Sequence, residues 1–197
     1  GDFEIVYTKD EKVPRCSGGY DCKISKKEML IYFASKSGLD IEGLGRETVE
    51  TLISNKLVKN FEDFYSLTYE DLISLPQWKE KKTKNLLEAI EKSKNSEQEK
   101  LLPALGIRYV GKQTSKLLVN TFGSIKNIFD ASSDEINNIH GISESVSSSL
   151  IEWYSENTNK LLIRNLEELG FRISKKIQKT TGKFSGKTFV MTGTLSN

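Results

Sequence analysis

The chain is poor in the side chains that most metal and redox centres need. Its 197 residues include two cysteines and one histidine, which is too few for the four soft ligands of a complete structural zinc site. No apolar run approaches the length of a membrane span, and no basic-then-apolar leader opens the chain. We therefore expect a cytoplasmic protein with no membrane partner. The net charge of +2 neither demands nor excludes nucleic acid, because binding depends on where the charges lie.

The composition is that of a soluble globular protein. Hydrophobic residues make up 37% of the chain and charged residues 28%, which provides enough apolar material for a helical core. The length permits one large or two small domains.

Four stretches of the chain resemble one another when they are aligned without gaps. Each begins with two apolar residues three positions apart, and two adjacent apolar residues follow at helical spacing. The four columns are Ile41, Leu75, Ile107 and Ile139; Leu44, Trp78, Val110 and Ile142; Leu52, Leu86, Leu118 and Leu150; and Ile53, Leu87, Val119 and Ile151. A repeat of roughly 32 to 34 residues is typical of stacked supersecondary units. The pattern predicts a mainly α fold built from four helix-hairpin-helix repeats.

Glycines occupy the turns of three of these hairpins. The first turn contains Gly43 and Gly45, the third Gly111 and the fourth Gly141. Glycine permits a positive φ and a close approach of the backbone to another molecule. The second helix of such a hairpin presents backbone N–H groups at its N-terminus, where the helix dipole favours an anion. We therefore predict contacts to phosphate and sequence-independent nucleic-acid binding; the alternative is a helical repeat whose glycines only end helices.

The hairpins differ in the side chains around their turns. The third has the most basic surroundings, with Arg108 before the turn and Lys112 after it, and is our strongest candidate for a phosphate contact. In the second, Gln77 and Lys79 fill both glycine positions, which favours a structural role. In the fourth, His140 stands at the turn without a carboxylate or nucleophile spaced to serve it, so we assign it no chemistry.

Local patterns place several boundaries. Thr68 and Ser132 each begin a capping-box pattern and predict helix starts, and the polar stretch 92–98 predicts a hinge between two double hairpins. Residues 173–183 lack a helical pattern and predict a linker, and residues 188–192 predict a buried strand followed by a turn.

The two cysteines, Cys16 and Cys22, flank a short glycine-containing knuckle. Paired cysteines at this spacing are typical of one half of a zinc site. A disulfide, a redox-labile pair or two unrelated thiols are the alternatives.

Several motifs resemble one known family. CSGGYDC, GLDIEGLG, ALGIRYVGKQTSKLL and the closing GKTFVMTGTLS are similar to the C-terminal half of bacterial NAD-dependent DNA ligases. The resemblance covers essentially the whole chain in the family's domain order. It implies a partial zinc finger at residues 1–24, four hairpins at 25–173, a linker at 174–183 and the beginning of a BRCT domain at 184–197.

The resemblance also implies a role for particular residues. The hairpins at Gly43 to Gly45, at Gly111 and at Gly141 to Ser143 would grip the backbone of a nicked DNA duplex across its minor groove. Cys16 and Cys22 would be one ligand pair of a four-cysteine zinc finger, so this chain would hold only half of the zinc site.

In the BRCT region, Thr192 and Gly193 would occupy the phosphate-binding Thr-Gly of that domain. The parent enzyme, expected to be monomeric, would use NAD and Mg²⁺ outside this stretch, so the stretch alone should not ligate DNA.

Two positions depart from the family pattern, and two other functions compete with it. Lys79 replaces a glycine of hairpin two, which puts a direct backbone contact there in doubt, and Ser143 replaces the second glycine of hairpin four. A tandem hairpin module of another repair protein, such as an excision nuclease, is one alternative. A helical protein-interaction module with no nucleic-acid role is the other, and it predicts weak dependence of binding on salt.

Overall fold

The computed structural model describes residues 3–6, 15–17 and 22–174, and most of this part is helical. The helices are α1 (Lys23–Ala34), α2 (Arg46–Ser54), a 3₁₀ helix (Phe61–Ser66), α3 (Tyr69–Ile73), α4 (Glu80–Ser93), α5 (Gln98–Ala104), α6 (Lys112–Phe122), α7 (Ile125–Asp130), α8 (Ser133–Asn137), α9 (Glu144–Ser155) and α10 (Asn157–Glu168). The predicted mainly α fold with tandem hairpins is confirmed.

Two short strands precede the helices. β1 (Ile5–Val6) pairs antiparallel with β2 (Arg15–Cys16), so that Ile5 lies opposite Cys16. The predicted zinc knuckle lies partly outside the described residues. The predicted BRCT strand, with Thr192 and Gly193, lies wholly outside them, as does the linker apart from residue 174.

The two predicted capping boxes are present. The Thr68 hydroxyl accepts from the N–H of Asp71 at 3.2 Å, and the Asp71 carboxylate accepts from the N–H of Thr68 at 2.9 Å. Ser132 and Glu135 make the same exchange at 3.3 and 2.8 Å. Each box satisfies donors that the first helical turn leaves without a partner. It therefore fixes the start of the five-residue helices α3 and α8.

The helices form two similar double hairpins. In the first, α1 and α2 form hairpin one, and α3 and α4 form hairpin two. In the second, α5 and α6 form hairpin three, and α8 and α9 form hairpin four. A six-residue element links the hairpins in each half: the 3₁₀ helix in the first and α7 in the second. The fold therefore repeats at two levels: the single hairpin occurs four times, and the double hairpin occurs twice.

Both halves contribute to one hydrophobic core. The leucine column of the repeat is buried in every copy, with exposed fractions between 0 and 2% for Leu52, Leu86, Leu118 and Leu150. The neighbouring column is less uniform, because Ile151 is 43% exposed. The second column is therefore not buried in every copy.

Contacts cross the polar break between the halves. Asn165 of α10 donates to the carboxylate of Glu62 at 2.9 Å. The ring of Tyr65 packs edge-on against Phe171, with 5.1 Å between centroids. Ile173, the last residue that the resemblance assigns to the hairpins before the predicted linker at 174–183, is buried and belongs to the core. The stretch predicted as a hinge thus lies between halves that are packed together.

Candidate nucleic-acid interface

The four hairpin turns share one backbone hydrogen bond. In each copy the N–H of the second apolar residue donates to the carbonyl of the residue three positions earlier. The bonds run from Leu44 to Ile41 at 3.1 Å, from Trp78 to Leu75 at 3.2 Å, from Val110 to Ile107 at 3.1 Å and from Ile142 to Ile139 at 3.0 Å. The columns found in the sequence are therefore the two ends of a β-turn in all four hairpins.

The third residue of every turn is left-handed. Its φ is +82° at Gly43, +66° at Gln77, +63° at Tyr109 and +90° at Gly141. A positive φ at this place is the mark of a type II turn, which favours glycine. Two of the four copies nevertheless hold a side chain there. Hairpin two thus has the same backbone turn as the others although both of its glycine positions are filled.

The glycine of hairpin three plays a different role from the one predicted. We expected Gly111 to supply the positive φ, but its φ is −92° and Tyr109 takes the left-handed conformation instead. Gly111 is aligned with Gly45, not with Gly43 or Gly141. Reading the column two positions after the first apolar residue would have identified Tyr109, since that column also contains Gly43 and Gly141.

Gly45 and Gly111 are the N-cap residues of the second helices in hairpins one and three. Lys79 and Ser143 hold the same place in hairpins two and four, and all four residues have extended backbones. None of the four makes a side-chain cap hydrogen bond. This includes Ser143, whose hydroxyl could have capped α9. The first-turn N–H groups of α2, α4, α6 and α9 therefore lack the local acceptor that Thr68 and Ser132 give to α3 and α8.

Packing within the protein does not require glycine at these two N-caps. A Cβ built on Gly45 or Gly111 would meet no atom within 4 Å, and both residues have negative φ values that any side chain can adopt. A Cβ here would instead lie in open space at the start of the helix. Glycine at these positions leaves that space open for another molecule to approach the backbone donors.

Charge distinguishes hairpin three from the others. The first turn of α6 contains Lys112 and no acidic residue. The first turns of α2, α4 and α9 each contain a glutamate: Glu47, Glu80 and Glu144. Arg108 is half-buried beside the turn, and its guanidinium lies 4.6 Å from the centre of the Tyr109 ring. Positive charge and helix dipole therefore act together at α6, as expected for an anion site.

In hairpin one the basic residue of the first turn is bound by carboxylates. The guanidinium of Arg46 donates to both oxygens of Glu28 at 2.8 and 2.7 Å and lies 3.7 Å from Glu50. Hydrogen bonding to Arg46 lowers the pKa of Glu28, and the same pair raises the pKa of Arg46. Hairpin one therefore has backbone donors for an anion, but the charge of its arginine is already paired with two carboxylates.

The turns of hairpins one and two border a common open groove. The groove has a volume of about 1570 Å³ and runs beside α4 to the start of α5. Gly43, Gly45, Gln77 and Lys79 lie along it. Trp78 is buried, with 8% of it exposed, and the ammonium of Lys82 lies 4.1 Å from its ring centre. Hairpin two thus contributes lysine side chains where hairpin one contributes bare backbone.

The cysteine pair lies near the start of α1. Cys16 belongs to β2 and Cys22 is the N-cap of α1; both are free thiols. Hydrogen bonds with the Cys16 side chain and with Ser25 lower the pKa of the Cys22 thiol from 9.0 to about 7. A thiol that ionises near neutral pH suits zinc, which binds the thiolate. In residues 3–6, 15–17 and 22–174 no cluster of three or more Cys, His, Asp or Glu could hold a metal.

Comparison with known proteins agrees with the two halves of the fold. A family profile described as a SAM-like helix-hairpin-helix tandem matches residues 39–92. A second, described as a helix-hairpin-helix motif, matches residues 100–163. The first range begins after α1, so it covers the turn and second helix of hairpin one and nearly all of hairpin two. The second range covers hairpins three and four except the first two residues of α5. None of the helices in the described ranges is long and apolar enough to cross a bilayer.

Curated relatives match the chain almost from end to end. A DNA ligase of Geobacter metallireducens is 41% identical over 98% of the chain, and a DNA ligase of Geobacter sulfurreducens is 39% identical over 98%. A DNA ligase of Desulforamulus reducens is 37% identical over 98%. The chain spans only 28 to 29% of the length of these relatives. By this similarity the chain belongs to the DNA ligase family, as a segment that carries tandem helix-hairpin-helix motifs.

Proposed function

We propose that the four hairpins bind the sugar-phosphate backbone of duplex DNA without reading its base sequence. The proposal rests mainly on the shared geometry of the turns: each left-handed turn leads into a second helix that no N-cap side chain caps by a hydrogen bond. Backbone donors at a helix N-terminus suit phosphate oxygens. Because such donors do not reach base edges, contacts of this kind fix position and carry no sequence information.

Each predicted site residue has a defined part in this proposal. Gly43 and Gly141 form the left-handed corners of their turns, and Gly45 and Gly111 leave open space before α2 and α6. Ser143 leaves its N–H and hydroxyl available at the start of α9. The contact residues are Gly43, Gly45, Arg108, Gly111, Lys112, Gly141 and Ser143, with Arg108 and Lys112 adding positive charge at hairpin three.

For the longer protein we propose NAD-dependent sealing of nicks in bacterial DNA, in the cytoplasm at the nucleoid and as a monomer. This rests on the resemblance of the motifs and on the names of the relatives. NAD and Mg²⁺ would be bound by other parts of that protein. The present stretch would hold the DNA and would not join ends by itself.

We further propose that Cys16 and Cys22 supply two of the four ligands of a structural zinc ion. The lowered pKa of Cys22 supports this role because zinc binding requires deprotonated cysteine. When bound, the metal would tie the start of α1 to the strand that precedes it.

Binding of the 197-residue chain to a nicked duplex and to an intact duplex of the same sequence tests the proposal. We expect log affinity to fall linearly with log salt for both, because phosphate contacts release counterions. Duplexes of different base sequence should bind equally. Affinity that does not change with salt would favour the protein-interaction alternative, and a strong preference for one base sequence would contradict backbone recognition.

A further inference from the structure

Tyr109 occupies an unfavourable backbone conformation without being buried. Its φ is +63°, in the left-handed region that disfavours side chains. The residue is 42% exposed. Gly43 and Gly141 at the equivalent places show that glycine satisfies the same turn. A tyrosine here therefore lowers the stability of the fold, and its half-exposed ring offsets this with less buried contact than a core aromatic would make.

The Tyr109 ring lies next to a positive charge and to the start of α6. The Arg108 guanidinium lies 4.6 Å from its centre, which places a positive charge on the aromatic surface. Tyr109 also stands two residues before Gly111, the N-cap in front of which space is open. The exposed aromatic thus lies beside the one candidate phosphate site of the four whose second helix begins without an acidic residue.

Residues held in strained backbone conformations cluster at sites that bind ligands. A phosphate at the N-terminus of α6 brings the adjoining deoxyribose, a largely apolar group, next to the hairpin. We propose that the Tyr109 ring packs against this deoxyribose and adds an apolar contact independent of base sequence. The inference rests on the proposed function, because it needs a nucleic-acid backbone at hairpin three.

The contact would make hairpin three unlike the other copies. Glycines leave hairpins one and four without a side chain at this position, and hairpin two has the polar amide of Gln77. An apolar contact releases no counterions, so the ring should change the affinity for DNA without changing its dependence on salt. That property separates it from Lys112 and Arg108, whose charges act on phosphate.

Three variants of the 197-residue chain test the inference: Tyr109→Gly, Tyr109→Ala and Tyr109→Phe. Each is titrated with a fluorescently labelled intact duplex of mixed sequence at several salt concentrations. We expect Tyr109→Gly and Tyr109→Ala to bind about three- to tenfold more weakly, with the same slope of log affinity against log salt. Tyr109→Phe should bind like the unchanged protein because it keeps the ring.

Urea denaturation of the same proteins separates binding from folding. Tyr109→Gly should unfold at a higher urea concentration than Tyr109→Ala, because only glycine relieves the left-handed strain. Gln77→Gly is the matched control: it relieves the same strain in hairpin two and should retain affinity within about twofold. Weaker binding by a variant that is more stable cannot be attributed to misfolding.

The remaining outcomes would overturn the inference in distinguishable ways. Unchanged affinity of Tyr109→Gly, with the unchanged protein binding duplex, would show that the ring makes no contact while the proposed function stands. A slope reduced by about one unit would show that the ring acts by orienting Arg108. Loss of affinity in Tyr109→Phe equal to that in Tyr109→Ala would assign the contact to the hydroxyl. No binding by the unchanged protein at low salt would contradict the proposed function itself.

Discussion

The side-chain oxygen of Gln98 accepts a hydrogen bond of 2.6 Å from the backbone N–H of Ile125. Both residues are buried, with exposed fractions of 5% and 0%, and they join the start of α5 to the start of α7. The bond satisfies a helix-terminal donor in a place that water does not reach. It therefore helps to hold hairpin three against the element that follows it.

Replacing Gln98 by alanine should lower the free energy of unfolding by about 2 kcal/mol. The change leaves the Ile125 N–H buried without this acceptor, and an unsatisfied buried donor costs roughly 1–3 kcal/mol. Urea denaturation followed by circular dichroism measures the loss. Gln113→Ala, an exposed position on α6, is the control and should change stability by less than about 0.5 kcal/mol. Equal effects of the two substitutions would contradict a structural role for the buried bond.

Features set by local sequence could be predicted, and features set by distant partners could not. The capping boxes at Thr68 and Ser132 involve residues three positions apart, so their pattern is visible in the chain. The four turns were visible because their ends repeat as apolar columns. The partner of Gln98 lies in another helix, and nothing in the local pattern distinguishes this glutamine from an exposed one. Tyr109 was missed because we expected a positive φ only at glycines. The shared β-turn instead requires a positive φ at its third residue, whichever amino acid that is.

The capping box of α8 should make stability depend on pH. Hydrogen bonds from the N–H and hydroxyl of Ser132 lower the pKa of Glu135 below its ordinary value of 4.5. Because the pKa of Glu135 is lower in the folded state, its carboxylate stabilises the fold fully at pH values above its pKa in the unfolded chain. This stabilisation is lost as the pH falls through the pKa of the folded state. The difference in unfolding free energy between the unchanged protein and Glu135→Gln should therefore be greatest near about pH 7 and shrink below about pH 4.

Asp134→Asn is the matched control for this titration, since it removes a neighbouring acid from the same helix and leaves the capping pair intact. Urea midpoints measured from neutral to acidic pH provide the comparison. If Asp134→Asn and Glu135→Gln showed the same pH profile, the capping hydrogen bonds would not be the source of the effect.

Gly111→Val should weaken duplex binding by about tenfold or more, and Lys79→Ala by much less. A valine side chain would fill the space in front of the α6 N-terminus, where a Cβ on Gly111 meets no protein atom. The backbone donors would then be screened from phosphate, and each lost charge-assisted hydrogen bond is worth roughly 1.5–3 kcal/mol. The φ of −92° is accessible to valine, so stability should fall by no more than about 1 kcal/mol.

Fluorescence anisotropy with one labelled duplex, together with denaturation of each variant, separates the two effects. Lys79 holds the same N-cap place in hairpin two, and its replacement removes a charge without blocking the backbone. Similar losses from the two substitutions would show that side-chain charge, and not access to backbone donors, governs binding.

Lys112→Ala should reduce both the affinity for duplex DNA and its dependence on salt. Lys112 is exposed in the first turn of α6, the one first turn among α2, α4, α6 and α9 that carries no acid. Removing one phosphate contact should lower the slope of log affinity against log salt by about 0.9.

Lys59→Ala is the control for Lys112→Ala because it makes the same change in net charge. Lys59 is exposed beyond the C-terminal end of α2, which is the end opposite to the turn of hairpin one. A local phosphate contact predicts that only Lys112→Ala changes the slope, whereas attraction by net charge predicts equal changes. Equal slopes for the two variants would therefore remove Lys112 from the interface and leave hairpin three with backbone contacts and Arg108 alone.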